Sequence, residues 1–87
     1  MAHHDLKQFH GFFQPIVDGD QRAIVRNNDR KYKVGDTITL NEGCLKNGEF
    51  EYSGRDISAE VSHISDFALQ EGYVCLSLKR VGMLIIK

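Results

Sequence analysis

Apolar residues near the amino terminus recur at the spacing of an amphipathic helix. Five of them occupy the i, i+3, i+4, i+7 and i+8 positions of one stripe. They are Phe9, Phe12, Phe13, Ile16 and Val17. Gly19 follows the stripe, where a helix C-cap is expected. Pro15 removes a backbone donor from the pattern, so we expect a short helix that either starts near Pro15 or is bent there.

After this segment the pattern changes to short runs of alternating or apolar residues, which are typical of strands. The predicted strands cover residues 21–26, 37–41, 50–52, 57–64, 73–78 and 81–87. Residues 27–33 form a polar loop, residues 41–49 form a connecting loop or hairpin, and residues 65–72 form a connection. This order predicts a mainly β (α+β) fold, a small and mostly antiparallel barrel of five to six short strands with one or two short helices.

The apolar tail at residues 83–86 is interpreted as a final strand that completes the sheet. The alternative is an exposed edge that recruits a second copy of the chain by strand addition. We therefore expect a monomer or a weak homodimer formed through the C-terminal strand.

Length and composition indicate one globular domain spanning residues 1–87, with 41% hydrophobic and 26% charged residues. No apolar run approaches the roughly 20 residues of a membrane-spanning helix. The first residues lack the charged and apolar segments of a signal peptide, so we expect a cytoplasmic protein without a membrane partner. Cys44 and Cys75 have no paired-ligand spacing and are interpreted as reduced thiols.

The distribution of charge is uneven, although the formal net charge is −1. Residues 22–33 contain five basic side chains and one acidic side chain, Asp29, and carry a net charge of +4, whereas the rest of the chain carries −5. The basic residues are Arg22, Arg26, Arg30, Lys31 and Lys33. A local cationic loop suits contact with phosphate, while the near-neutral total excludes indiscriminate coating of nucleic acid.

Several short motifs occur in an order that resembles domain of unknown function 3850, a family of small bacterial and phage proteins. They are His4-x-Leu6-Lys7, Phe12-Phe13, Gly19, Arg26-x-Asn28-Asp29-Arg30, Val34-Gly35-Asp36, Tyr52-Ser53-Gly54-Arg55 and Glu71-Gly72-Tyr73-Val74. The family's wider relatives are the ASCH domains and the PUA-like fold. The resemblance implies a PUA-like pseudo-barrel and a function in RNA binding or in chemistry on modified nucleosides.

One departure from the ASCH-like pattern bears on catalysis. That pattern often reads Gly-x-Lys-x-x-Glu-x-Arg, and here Gln21 replaces the lysine and Ile24 replaces the glutamate. In amidohydrolase members, the resemblance implies that the lysine and a nearby acid activate a nucleophile and transfer protons. Gln21 and Ile24 can do neither. We therefore favour a binding module over an enzyme, with no cofactor.

The predicted nucleic-acid-binding residues lie mainly in the cationic loop. They are His4, Lys7, Arg26, Asn28, Arg30, Lys31, Tyr32, Lys33 and Arg55. Guanidinium groups hold phosphate or stack on bases, asparagine pairs with a base edge, and tyrosine stacks on a base.

Each of these assignments has a structural alternative. Arg26 or Arg30 can pair with a loop carboxylate, Tyr32 can pack at the barrel rim, and Arg55 can belong to a turn. His4 and Lys7 either line the cleft or form a frayed terminus. No metal is expected, because adjacent histidines at positions 3 and 4 are the nearest approach to a ligand cluster.

The leading hypothesis is an RNA- or nucleotide-binding module. One alternative is an ASCH-type amidohydrolase acting on a modified nucleoside, in which His4, Lys7 or Lys33 replaces the missing lysine. Another is a phage or mobile-element protein that binds a host protein.

Overall fold

The computed structural model describes residues 1–80 and 85–86 of the chain. Within these residues the chain forms six strands, one α-helix and one 3₁₀ turn. In chain order they are β1 His3–Phe9, α1 His10–Asp18, β2 Ala23–Asn27, the 3₁₀ turn Asn28–Arg30, β3 Thr37–Lys46, β4 Glu49–Ser65, β5 Tyr73–Arg80 and β6 Ile85–Ile86. The prediction of a mainly β fold is confirmed.

The strands form one mixed sheet in the order β1-β3-β4-β5-β2, with β6 paired to β4. Strands β1 and β3 run parallel, and every other described pair is antiparallel. The parallel pair is possible because α1, β2 and the 3₁₀ turn lie between β1 and β3 and return the chain to the same end of the sheet.

Strand β1 was not predicted, because polar residues occupy two of its inward positions. His4, Leu6 and Gln8 are buried, while the alternate residues Lys7 and Phe9 face outward. A polar residue on the core side hides the period-two pattern that identifies a strand. Of the two alternatives for this segment, the frayed terminus is therefore wrong. We call the face of the sheet that carries Lys7 and Phe9 the outer face.

Helix α1 begins at His10 and contains Pro15, so of the two alternatives at this proline the one in which the helix starts there is wrong. Gly19 ends the helix in the left-handed region, at φ 82°, and its N–H donates to the Ile16 carbonyl. This confirms the predicted glycine cap. The buried side of the helix is narrower than its apolar stripe, since Phe13 is fully buried while Phe12 is 59% exposed.

Strand β4 joins two strands that were predicted separately. Asn41 pairs with Asp56, whereas Gly43 pairs with Tyr52, so residues 53–55 form a bulge in an otherwise continuous strand. A bulge bends a strand without ending it, which explains why the turn-like sequence of this segment was misleading.

The hairpin between β3 and β4 turns at Asn47 and Gly48, which have φ angles of 54° and 81°. Two successive positive φ angles fit the tight turn that an Asn-Gly pair favours. The hairpin interpretation is therefore confirmed, although β3 extends to Lys46 rather than ending at Asn41.

The core contains side chains from α1, from the β2–β3 connection and from each of strands β1 to β5. Its members are Leu6, Phe13, Ile16, Ile24, Tyr32, Ile38, Leu40, Ile57, Val61, Val74 and Leu76. The two edge strands of the sheet are also linked directly, because Arg26 on β2 donates to the Lys7 carbonyl and to Gln8 Oε1 on β1. The sheet therefore curls until its edges approach each other.

At the carboxyl end, Ile85 and Ile86 pair with Asp56 and Arg55 of β4. Met83 and Leu84, which belong to the same predicted strand, lie outside the described residues. Across residues 1–80 and 85–86, no helix has both the length and the apolar character needed to cross a membrane.

Candidate functional site

A cavity of about 520 Å³ lies between the outer face of the sheet and the β2–β3 connection. We call it the cationic cleft. Its lining includes Lys7 from β1, Arg26 from β2, Arg30 from the 3₁₀ turn, Tyr32 and Tyr52. Four of these five residues were predicted from the sequence, and they come from three separate segments of the chain.

The charges that line this cleft cancel only in part. None of Lys7, Arg26 and Arg30 forms an ion pair within the described part of the chain. Asp5 and Asp29 also line the cavity, which leaves it with a formal charge of +1. Asp5 lies 3.7 Å from the His3 ring.

Arg26 is the most constrained of the three cations. One terminal nitrogen donates to the Lys7 carbonyl at 2.9 Å and to the Gln8 side chain. Partial burial lowers the pKa of Arg26, Tyr32 opposes this effect and raises it, and Arg30 lowers it further. Arg26 therefore combines two roles, since it fixes the two sheet edges together and places a partly desolvated cation at the cleft.

Tyr32 lines the cleft but does not present an open ring. It is 7% exposed, and its ring packs edge-on against His4 with centroids 4.8 Å apart. Burial raises the pKa of the Tyr32 phenol. Tyr32 is therefore packed, as the alternative given in the sequence analysis states. The aromatic ring that the cleft leaves open is that of Tyr52, which is 56% exposed.

Beneath Tyr32, His4 and Asp36 form a buried pair whose ring nitrogen and carboxylate oxygen are 2.9 Å apart. Asp36 also accepts hydrogen bonds from the backbone N–H groups of Ala2 and Lys33, each at 3.0 Å. The hydrogen bond with His4 is the largest influence on the pKa of Asp36. Together with the hydrogen bonds from the two amides, it lowers this pKa to about 2. His4 therefore lies below the cleft and anchors β1 to the loop, while Lys33 contributes its backbone to the same anchor.

Asn28 and Lys31 also have backbone roles in the loop. The Asn28 side chain accepts a hydrogen bond from the Tyr32 N–H at 3.0 Å. Lys31 follows the 3₁₀ turn in the left-handed region, at φ 52°, with an exposed side chain. Neither residue belongs to the lining of the cationic cleft.

Arg55 is neutralised by Glu42, in contrast to the cations of the cleft. Its Nε and Nη2 atoms donate to the two Glu42 oxygens at 2.7 and 2.6 Å, and Ser53 donates to the same carboxylate at 2.5 Å. The hydrogen bond from Arg55 is the largest influence that lowers the pKa of buried Glu42. Arg55 also lies over the Phe13 ring at 5.2 Å.

A second cavity, of about 580 Å³, adjoins the cationic cleft, and we call it the phenylalanine pocket. Phe9, Phe12 and Phe50 line it, and Phe12 and Phe9 are 59% and 48% exposed. Lys7 and Arg26 line both cavities, so these two cations stand at their junction.

Three aromatic rings form a row across the outer face. The centroids of Phe9 and Phe50 are 5.9 Å apart, and those of Phe50 and Tyr52 are 5.0 Å apart, both in edge-on arrangements. In the sheet register Gly43 lies between Phe9 and Tyr52. A Cβ at Gly43 would collide with the Phe50 ring and lie 2.5 Å from the Glu51 carbonyl, so glycine is what lets Phe50 lie over β3.

This aromatic row was missed from the sequence. The signal that was available is the i, i+2 spacing of Phe50 and Tyr52, which places both rings on one face of a strand. Phe9 was instead assigned to the buried stripe of the helix. Its strand partner Gly43, distant in the chain, decides its actual position.

The positions that depart from the ASCH-like pattern lie beside the phenylalanine pocket. Ile24 is 5% exposed and belongs to the core, and the Gln21 amide donates to the Ala23 carbonyl at 2.9 Å. Among the residues that the structure describes, no group of three or more His, Cys, Asp or Glu side chains is placed to hold a metal ion.

Two comparisons relate this chain to known sequences. It is 31% identical over 74 residues to the "Uncharacterized 12.9 kDa protein in GpA 3'region" of Escherichia phage P2, which covers 84% of this chain and 64% of the phage protein. The chain thus spans slightly less than two thirds of that relative. Residues 3–78 match the family described as "Domain of unknown function (DUF3850)". The resemblance to domain of unknown function 3850 is therefore confirmed, and the protein belongs to the DUF3850 family.

Proposed function

We propose that this protein binds RNA or a nucleotide in the cationic cleft, without catalysing a reaction on it. The observation that supports the proposal is the convergence of Lys7, Arg26 and Arg30, which have no carboxylate partner in the described residues, beside the exposed Tyr52 ring. Cationic side chains that follow a backbone, combined with an aromatic ring for a base, are the usual elements of single-strand recognition.

The assignment of roles follows from exposure. Lys7 and Arg30 are exposed and contact phosphate. The partly buried Arg26, which is held in place by its hydrogen bonds to β1, is the third phosphate contact. Tyr52 takes the base-stacking role that the sequence suggested for Tyr32. The proposed kinship with ASCH and PUA-like domains is consistent with this role, and Gln21 and Ile24 supply no group for proton transfer.

A direct test is fluorescence anisotropy with a labelled uridine oligonucleotide of about six residues. Three phosphate contacts on a single strand predict a salt slope of roughly −2, so affinity should fall about tenfold or more between about 50 and 200 mM salt. The double variant Lys7→Glu plus Arg30→Glu should lose at least tenfold in affinity at the lower salt concentration. The double variant Lys46→Glu plus Lys79→Glu, which makes the same change in net charge at exposed lysines outside the cleft, is the matched control.

Absence of binding at low salt would contradict the proposal. Binding that is equally weakened by Lys46→Glu plus Lys79→Glu would also contradict it, because the effect would then reflect net charge rather than the cleft.

A second candidate function is the binding of a host protein by a phage or mobile-element product. The observation that favours it is the similarity to a protein of Escherichia phage P2. A pull-down from bacterial lysate with and without nuclease separates the two, since a protein partner of this kind is retained after RNA is digested.

A further inference from the structure

The aromatic row extends beyond the cationic cleft, because Tyr52 lines that cleft while Phe9 and Phe50 line the phenylalanine pocket. Phe9 and Tyr52 are 48% and 56% exposed, and Phe50 lies between them. Exposed aromatic side chains that line a concave surface usually mark a binding site. The register of Phe9, Gly43 and Tyr52 holds the rings on adjoining strands rather than on a mobile loop.

The cations lie at a defined place relative to the rings. Lys7 and Arg26 stand at the junction of the phenylalanine pocket and the cationic cleft. Lys7 Nζ lies 5.4 Å from the centre of the Phe50 ring. Along the surface, the phenylalanine pocket is therefore followed by Lys7 and Arg26 and then by the cationic cleft, which the exposed Tyr52 lines.

This order matches the chemistry of two successive nucleotides. A single strand offers a base, a bridging phosphate and a second base, and unstacked bases are free to stack on protein rings. A mononucleotide has one base and leaves one cavity unused. A duplex keeps its bases stacked inside and cannot reach the rings.

We infer that the ligand is a single-stranded nucleic acid of at least two nucleotides, held in a two-base site. One base lies in the phenylalanine pocket against Phe9 and Phe50, and the next lies against Tyr52. Lys7 and Arg26 hold the phosphate between them. This inference rests on the proposed function and specifies its ligand class.

The test compares uridine monophosphate, the dinucleotide UpU and the oligonucleotide of about six residues on the wild-type protein. Two stacked bases predict that UpU binds at least about fivefold more tightly than the mononucleotide, since one stacked base contributes about five- to hundredfold in affinity. A blunt-ended RNA duplex of two annealed strands, which has no unpaired base, is expected to bind at least tenfold more weakly than the oligonucleotide.

Variants then assign the rings. Tyr52→Leu should weaken oligonucleotide binding by at least fivefold, whereas Tyr52→Phe, which keeps the ring, should stay within twofold of wild type. Phe9→Leu should act like Tyr52→Leu. Phe67→Leu is the control, because Phe67 is 88% exposed and lies outside both cavities. Thermal melting checks that each variant is folded.

The outcomes separate the inference from the proposed function. If the oligonucleotide binds and depends on Lys7 and Arg30, but the mononucleotide binds equally well or Tyr52→Leu has no effect, the two-base site is overturned alone. If no nucleic acid binds, both are overturned, and a host protein whose capture depends on Tyr52 would then assign the row to protein recognition.

Discussion

Two arginine environments on this small sheet differ in almost every respect. Arg55 donates two hydrogen bonds to Glu42, lies over Phe13 and is held at a bulge of β4. Arg30 sits on a 3₁₀ turn, is exposed and has no ion pair among the described residues. The first arginine stabilises the fold, and the second provides a free charge at the rim of a cavity.

The difference shows that a basic residue becomes a candidate for phosphate binding when no carboxylate is paired with it. In the sequence Arg30 and Arg55 look alike, since each lies in a polar segment between predicted strands. The partner of Arg55 is Glu42, which stands on the neighbouring strand. The comparison therefore predicts that stability depends on one arginine and ligand affinity on the other.

The largest expected effect comes from Arg55→Ala. It leaves the buried Glu42 carboxylate without its main partner, so the melting temperature should fall by roughly 10 °C. Differential scanning calorimetry measures this change. The double variant Arg55→Leu plus Glu42→Leu removes both charges and should recover most of the loss. A decrease of less than about 2 °C for the single variant would mean that the pair contributes little to stability.

The next effect concerns the aromatic row, whose Tyr52 ring lines the same cavity as Arg30. Gly43→Ala places a Cβ against the Phe50 ring and the Glu51 carbonyl, and should lower the free energy of unfolding by about 1–3 kcal/mol. Urea denaturation measures it. Gly11→Ala is the matched control, since a Cβ at this position of α1 would meet no atom from outside its own stretch of helix within 4 Å, and alanine is the better helix former. Equal stability of the two variants would contradict the close contact.

A smaller, pH-dependent effect involves the Asp36 anchor below the cleft. The pKa of Asp36 is about 2 in the folded protein against a reference value of 3.8, so the carboxylate stabilises the fold above pH 3.8. This contribution is lost as the pH falls from 3.8 towards 2. Asp36→Asn should therefore lower stability at neutral pH and flatten the decline in this window. Asp66→Asn, at an exposed carboxylate, is the control for urea titrations at each pH.

The smallest effect on stability is expected for Arg30→Ala, which should change the free energy of unfolding by less than about 0.5 kcal/mol. Its effect belongs to binding, where the salt slope for a single strand should become shallower by about 0.7. Lys79→Ala should leave both quantities unchanged. A loss of stability as large as that of Arg55→Ala would remove the distinction between the two arginines.

Much of the fold was predictable because its signals are local. The alternation in residues 37–41 and 73–78 identified β3 and β5, and Gly19 marked the end of α1. Strand β1 escaped detection because His4 and Gln8 face inward, and their burial is explained by partners that lie far along the chain.

The candidate site was predicted in part, for a similar reason. The charge pattern identified Arg26 and Arg30, which the structure places at one cleft with Lys7. It gave no indication that Arg55 is neutralised or that Tyr32 is packed against His4, because both facts depend on residues from other strands. The local sequence pattern thus identifies charged segments. Contacts between strands determine which of these charges are left without a carboxylate partner.

The parallel pairing of β1 with β3 has a consequence for folding order. His3 contacts Thr37, 34 residues away, while the β3–β4 hairpin closes through a two-residue turn. High contact order delays an element relative to a local hairpin, so β1 is expected to join the sheet after β3 and β4 have paired. Because Lys7 and Phe9 lie on β1, the proposed binding surface would be completed only after the β3–β4 hairpin has formed, and it would be lost if that edge of the sheet unfolded locally.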